Sequence, residues 1–469
     1  MLLQRWIHSF PYLRAGLAPA DYAHKAQTSM STSSIASTRA LAAITALQGY
    51  YNTTSGLWNT TGWWNSGNCL TVVADYASFD PAFASDASEL FSNTYQRAQD
   101  LNVPFNQVVS TQRFQLMVES KTRKTNDTLP ESRSDLHRPA VRDIDPNPAF
   151  PYMFLQQATT FPGFLNDFYD DEGWWALGWI RAFDASNRTE TQYLATAESI
   201  FEDMTQGWSN GTTNETKCEG VWWNKEHQGI NAISNELFLS VAAHLANRVP
   251  NRLNYYLNWA NKEWSWFKGT GMINPRFNIN DGIKLDDCSN NGEPVWTYNQ
   301  GVILGALVEL NKAAPDPSYL TNAINIANAA IKYFADTKGI IKEQCDPYCG
   351  TDGEQFKGIF IRNLYYLWEA TQQPQFLETI RKNADSIWDN DRGDNNRFGA
   401  AWAGPYVNAT AGTHSSASDA IFAAAKAENA SAGGGSSDPT PASSAVVVEE
   451  PSSISSVALE LPGASDSPY

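Results

Sequence analysis

The sequence predicts an all-α fold, an (α/α)6 barrel of six helical hairpins with an insertion and a flexible C-terminal tail. Three observations lead there. Apolar residues recur at helical spacing along the chain while strand signals are sparse. The helical segments come in consecutive pairs, one amphipathic and one apolar almost all round, and a helix apolar all round is a buried one. The apolar members open on polar or aromatic clusters, as helices would if their starts gathered around one mouth.

The candidate helices are Thr38–Tyr51, Trp63–Ser78, Ala84–Gln99, Gly173–Ala185, Gln192–Gly207 and Ile230–Asn247, followed by Arg252–Lys268, Asn299–Lys312, Tyr319–Thr337, Gln355–Ala370, Gln375–Asp389 and Ser415–Asn429. The first of each pair carries a charged face. Asn65, Asp171, Asn231, Asn299, Gln355 and Ser415 mark the starts of the second members. Successive markers lie about 60 residues apart, except for a first step about 46 residues too long for a helical-hairpin repeat. The excess falls at Glu119–Phe164, rich in Arg and Pro, which reads as a solvated insertion. The tail from about Ser431, with Gly433-Gly434-Gly435 and Asp438-Pro439-Thr440-Pro441, reads as a flexible stalk. The domain is thus expected over 36–430, between an N-terminal segment 1–35 and the tail 431–469.

Of 469 residues, 50 are acidic and 33 basic, a net charge of −17, which argues against a nucleic-acid partner because a phosphate backbone is held by clustered Lys and Arg. The chain has no uncharged apolar run long enough to span a bilayer. The apolar fraction of 42% suffices for a large core. Beside 19 Tyr and 22 Phe stand 17 Trp, aromatic surface that suits a ligand with apolar faces and many hydroxyls. A monomer is expected.

Five cysteines are too few for a disulfide scaffold and lack paired zinc spacing. Cys345 and Cys349 could close a small loop and Cys218 could pair with Cys288. Cys69, inside an apolar helical pattern, reads as a buried free thiol. Sequons begin at Asn52, Asn59, Asn126, Asn187, Asn210, Asn214, Asn408 and Asn429, a density that points to a secretory route and a secreted or cell-surface location. The N-terminus fits less well. Ala18-Pro-Ala20 resembles a cleavage site, but Arg14 interrupts the apolar stretch. No hydrophobic tail that could signal a lipid anchor is legible.

The sharpest local feature is Asn166-Asp-Phe-Tyr169-Asp170-Asp171-Glu172-Gly173-Trp174-Trp175. Inside a helix adjacent carboxylates diverge by about 100°, so the pair is expected just before the helix, where extended backbone can aim both at one cleft. The helix N-terminus would favour the ionised member. The other, crowded by a like charge and by indoles, would keep its proton. An acid and a base set apart by environment are what glycosidic cleavage needs. A bare Asp pair ahead of a helix more often caps it. The neighbours shift that balance: Trp63-Trp64, Trp174-Trp175 and Trp222-Trp223 are candidate stacking surfaces. Asn65, Asn231, Asn235, Tyr298, Asn299, Gln300 and Lys357 are candidate hydroxyl partners, although each amide could instead cap its own helix. Asp286-Asp287-Cys288-Ser289-Asn290-Asn291-Gly292 resembles the start of a calcium loop, but Tyr298 stands where the bidentate Glu would be needed. With His227, His244 and His414 scattered and neither HExxH nor GxSxG present, zinc-protease and serine-hydrolase chemistry is unsupported. No metal or cofactor is expected.

These residues resemble glycoside hydrolase family 76, the α-1,6-mannanases and the related fungal wall proteins of the Dfg5/Dcw1 type. The matching blocks are Gly62-Trp-Trp-Asn-Ser, Tyr169-Asp-Asp-Glu-Gly-Trp-Trp-Ala-Leu-Gly-Trp179, Gly220-Val-Trp-Trp-Asn224 and Asn231-Ala-Ile-Ser-Asn235. Trp296-Thr-Tyr-Asn-Gln-Gly301, Gln355-Phe-Lys-Gly-Ile-Phe-Ile-Arg-Asn363 and Trp402-Ala-Gly-Pro405 follow. They cover Ala36–Ala425 apart from the insertion. The resemblance implies the (α/α)6 barrel and an endo-acting α-1,6-mannosidase working on mannan or a mannose-containing wall glycan. It implies retention by double displacement, with Asp170 as nucleophile and Asp171 as general acid/base. Two other readings stay open: a wall transglycosidase acting on the mannose core of glycolipid anchors, and a glycan-binding wall protein without catalysis.

Overall fold

The computed structural model describes residues 35–99, 163–212 and 216–433. Among them twelve long helices run in chain order: α1 Ile35–Gln48, α2 Trp63–Phe79, α3 Ala84–Arg97, α4 Tyr169–Ala185, α5 Thr191–Gln206, α6 Ala232–Ala246, α7 Leu253–Gly269, α8 Thr297–Ala313, α9 Pro317–Phe334, α10 Phe356–Thr371, α11 Pro374–Asn390 and α12 Ala411–Gly433. A hairpin of β1 (Tyr51–Asn52) and β2 (Leu57–Trp58) precedes α2, and one of β3 (Trp208–Asn210) and β4 (Glu219–Val221) precedes α6. Every helix expected from periodicity is present, with ends within a few residues. Local chemistry sets several ends. Asp316 accepts from Ser318 N at 2.8 Å ahead of Pro317, which opens α9. Gln372 closes α10 in the left-handed region, and Pro374 starts α11 two residues later.

The even helices form the inner ring. All fifteen residues of α6 are buried, whereas α9 buries five of its eighteen. Contacts run α2–α4–α6–α8–α10 around the ring. The last helix closes it: Gly358 N of α10 donates to Ser416 Oγ of α12 at 2.9 Å, and the Tyr76 ring of α2 lies 5.0 Å from Phe422. Small residues allow these close crossings. A Cβ on Gly358 would lie 2.4 Å from Ser416 Cα, and one on Gly178 of α4 would lie 2.9 Å from Gly67 O of α2. This is the barrel of paired helices that the sequence predicts.

Two expectations change. The helix bearing the Asp pair starts at Tyr169, four residues before Gly173, so the pair lies inside its first turn. The cause is tertiary: Phe168 bridges Asn224, and Tyr169 N donates to Trp223 O at 3.0 Å, which ends the extended backbone at Phe168. Phe164, expected in the solvated insertion, is fully buried, its ring 4.7 Å from Trp175 and 5.0 Å from Trp179. The rest of the expected insertion, apart from Gly163, lies outside the described residues, as do Met1–Ala20 and the tail from Gly434. Cys218–Cys288 and Cys345–Cys349 are disulfides and Cys69 is a buried free thiol. No described helix is long and apolar enough to cross a membrane.

Candidate active site

The inner helices start at one end of the barrel, and there Asp170 and Asp171 occupy the first turn of α4, at the positive end of its dipole. Asp170 Oδ2 accepts from Trp223 Nε1 at 3.2 Å, while its Oδ1 is buried and meets no donor among the described residues. Asp171 Oδ2 accepts from Asn166 Nδ2 at 2.6 Å. Glu172 points the other way, into the fold, where its Oε1 accepts from Lys225 Nζ and from Asn166 N, each at 2.9 Å. One turn therefore carries two carboxylates at the mouth and a third that anchors the segment before it.

Burial dominates the electrostatics. It pushes Asp170 up to about 7, against the opposing pull of the backbone amides and of Trp223. Asp171 is driven well above the ordinary carboxylate range, first by burial and then by the charge of Asp170. The pair shares one local field, and Asp170, with more donors, is the member that ionises first.

Aromatic rings line the approach. Trp64 stacks on Trp174 (5.6 Å between ring centres), Trp174 on Tyr298 (6.5 Å), and Tyr298 on Phe356 (3.8 Å). Trp63, Trp64, Trp223 and Tyr298 keep partly exposed surface, and Trp174 is nearly buried between its neighbours. The other expected ligand residues belong to the fold. Trp175 is fully buried among Trp63, Phe164 and Trp179, and Trp222 is covered by His227, which stacks on it at 4.7 Å. Neither ring offers a face to a sugar. Asn65 bonds Gln355 Oε1 at 2.9 Å and Thr351 O at 3.3 Å. Asn235 spans the backbone of Val221, Gln300 that of Ile279, and Asn231 caps α6 through Ser234 N. Asn299 donates to Asp281 Oδ1 at 2.9 Å. Lys357 is almost wholly buried, bonded to Asp346 and, at 2.6 Å, to Ala400 O. A buried amide tends to spend its donors and acceptors on the protein, and Asn65, Asn235 and Gln300 do so, fixing the mouth's walls. Asn65, Asn235 and Gln300 thus serve the fold, as does Asn231 in capping α6, whereas Asn299 keeps a buried Oδ1 with no donor among the described residues.

Sequence reasoning included Asn166 in the sharpest stretch without giving it a role, and passed over Asp281 and Asp352. Asp352 lies on a single turn of helix, Gly350–Gly353, and accepts from Trp64 Nε1 at 3.2 Å. Asp281, pushed up to about 6 by burial, comes from the long connection between α7 and α8. Only the Cys345–Cys349 loop next to Asp352 offered a local signal; the rest are brought in by the chain's return. The calcium-like stretch is folded on itself, with Asp287 Oδ1 accepting from Ser289 N at 3.0 Å and Oγ at 2.6 Å.

At the opposite end of the barrel a polar cavity of about 400 Å³ lies between the helix ends, lined by Arg181, His244, Glu309, Tyr366 and Lys426 among others. Its charges are matched internally: Arg181 and Lys426 meet Asp75, and Lys312 meets Glu309 at 2.8 Å. It braces the inner ring and holds no unequal acid pair.

The glycosyl hydrolase family 76 model matches residues 141–433. The chain belongs to this family. Among curated members, it is 29% identical over 224 residues to the mannan endo-1,6-alpha-mannosidase DCW1 of Saccharomyces cerevisiae, covering 45% of this chain and 48% of that protein. It is 28% identical over 206 residues to DFG5 of Candida albicans, named likewise, covering 42% and 45%. The chain spans about half the length of the curated relatives it matches. Among solved family 76 folds, the GH76A α-1,6-mannanase of Salegentibacter aligns over 84% of this chain and 99% of its own, with a TM-score of 0.61 and 19% identity. That protein is an inactive variant with two consecutive aspartates replaced by alanine, in complex with α-1,6-mannotetraose. Dfg5 of Chaetomium thermophilum, in complex with glucosamine, aligns over 83% and 90% with a TM-score of 0.60 and 16% identity.

Proposed function

We propose that this family 76 chain is an endo-acting, retaining glycosidase that cleaves α-1,6-mannosidic bonds of mannan. One observation carries the reading: two neighbouring carboxyls at the barrel mouth differ in environment, Asp170 with donors to hold its charge, Asp171 without enough of them to lose its proton. The inactive Salegentibacter variant, altered at two consecutive aspartates, supports assigning the chemistry to this pair.

In the proposed reaction Asp170 attacks the anomeric carbon as its bond to the leaving oxygen breaks, and that oxygen takes the proton of Asp171. Water then attacks the glycosyl-enzyme and yields its proton to Asp171, which restores both groups. Trp64, Trp223 and Tyr298 supply the stacking faces, with Trp174 packed between Trp64 and Tyr298. Two disulfides and the exposed sequon residues Asn59, Asn187, Asn210, Asn408 and Asn429 support a location outside the cytosol.

Incubation with α-1,6-mannotetraose tests the reading. Shorter mannosides released first as the α-anomer are expected. Elongated products would favour the transglycosidase, in which a sugar hydroxyl replaces water. Binding with no new product of either kind would leave only a glycan-binding protein.

A further inference from the structure

Asp352 stands outside the proposed pair, yet the fold holds it in place with unusual care. The turn Gly350–Gly353 follows the Cys345–Cys349 disulfide directly, and a Cβ on Gly353 would lie 2.6 Å from Cys349 Cβ, so the turn rests against the bridge. From the start of α2, Asn65 Nδ2 donates to Thr351 O at 3.3 Å and Trp64 Nε1 to Asp352 Oδ1 at 3.2 Å. Trp64 in turn stacks on Trp174, and Trp174 stands one helical turn beyond Asp170 on the same face of α4. A chain of contacts thus leads from Asp352 through two indoles to the proposed pair.

We propose that Asp352 is a positioning residue of the cleavage reaction, a third carboxylate whose charge keeps a proton on the Asp170–Asp171 pair. The inference rests on the proposed function of that pair. Burial raises Asp352 as well, but the hydrogen bond from Trp64 opposes that rise and no neighbouring charge adds to it as Asp170 adds to Asp171, so Asp352 ionises before the pair. Its negative charge acts on both partners in the direction that holds their protons. The other groups facing the pair are consistent with this. Tyr298 of α8 keeps its own proton, Asn166 and Trp223 are neutral donors, and Lys225 is engaged by Glu172 and Asp203. Glu354, near Asp352, is pushed up to about 7 by burial and therefore adds little charge in acid. Without Asp352 the general acid would lose its proton at a lower pH.

The test compares wild type with Asp352→Asn and Asp352→Glu, using circular dichroism to establish folding. Carboxyl ¹³C titration of the pair needs no catalysis, so it judges this inference even if mannan proves not to be the substrate. In Asp352→Asn the midpoints of both carboxyls are expected to fall by about half a pH unit or more, with Asp352→Glu restoring most of the difference. The alkaline limb of kcat/KM on α-1,6-mannotetraose should move by the same amount. Unmoved midpoints in folded Asp352→Asn would overturn the proposal, as would an activity loss equal at every pH. Should Asp352→Asn not fold, Asp352→Ser takes its place under the same criteria, and Asp352→Glu serves only as the charge-retaining control. Wild type that fails to cut mannan while its midpoints respond would remove the proposed function and leave the coupling.

Discussion

Trp223 Nε1 donates to Asp170 Oδ2 at 3.2 Å, tying the segment after β4 to the start of α4 across 53 residues of chain. The same segment holds Tyr169 N through Trp223 O, so one residue sets both where α4 begins and how its first carboxylate is solvated. Trp223→Phe keeps a ring and removes the donor. A hydrogen bond to a charged group contributes about 1.5–3 kcal/mol, so kcat/KM on mannotetraose should fall about tenfold or more. The acid limb of the pH profile should move upward, as Asp170 then ionises less readily. A steady-state pH series checks both.

Substitution within the pair should separate its roles. Asp170→Asn should abolish turnover on any substrate. Asp171→Asn should slow mannan cleavage by about 10²–10⁴-fold but spare kcat/KM on an aryl mannoside whose leaving group needs no proton, while turnover stays limited by deglycosylation, in which water lacks its base. Equal losses on both substrates for Asp171→Asn would remove its acid role.

Stability should peak in mild acid. Asp170, Glu343, Glu354, Asp391 and Asp419 are pushed up to about 7 and Asp281 to about 6, in each case chiefly by burial. Their folded forms bind protons that the unfolded chain releases near pH 4, so their contribution is complete below that and is lost as pH rises toward 7. His244 and His414, lowered to about 4 by burial, act oppositely, adding stability as pH rises from 4 to 6.5. Asp75 and Glu309, held low by cationic neighbours despite burial, lose their contribution only in stronger acid. The acids outnumber the histidines, so calorimetric Tm should be higher near pH 5 than near pH 8.

Two structural predictions test the frame. Lys357→Met strips the buried Asp346 of its cationic partner, which should cost about 3–5 kcal/mol; adding Asp346→Asn should recover part of it, as read by denaturant unfolding. Gly358→Ala drives a methyl into Ser416 and should prevent closure of the ring, giving little folded protein.

The two disulfides should differ in weight. Breaking Cys218–Cys288, which spans 70 residues, should cost about 4 kcal/mol on chain entropy. Breaking Cys345–Cys349 should cost much less stability, its loop being only four residues. Cys→Ser variants unfolded in urea make the comparison.

The helical pairing was legible in the sequence because an inner helix must be apolar on every side, and α6 and α8 wear that requirement in their composition. The acid pair was legible too, since Asp170-Asp171 ahead of Trp174-Trp175 is a local pattern. What Asn65, Asn235, Gln300 and Lys357 do was not, because an amide or ammonium is the same letter whether it faces water or a buried carbonyl. Tertiary structure alone decided that α4 begins at Tyr169, that Trp222 lies under His227, and that Asp352 arrives beside Trp64 across 288 residues of chain. Periodicity records which face of a helix avoids water. It carries no record of which distant segment returns to meet that helix, and at this mouth those returning segments set the charge of the carboxyls.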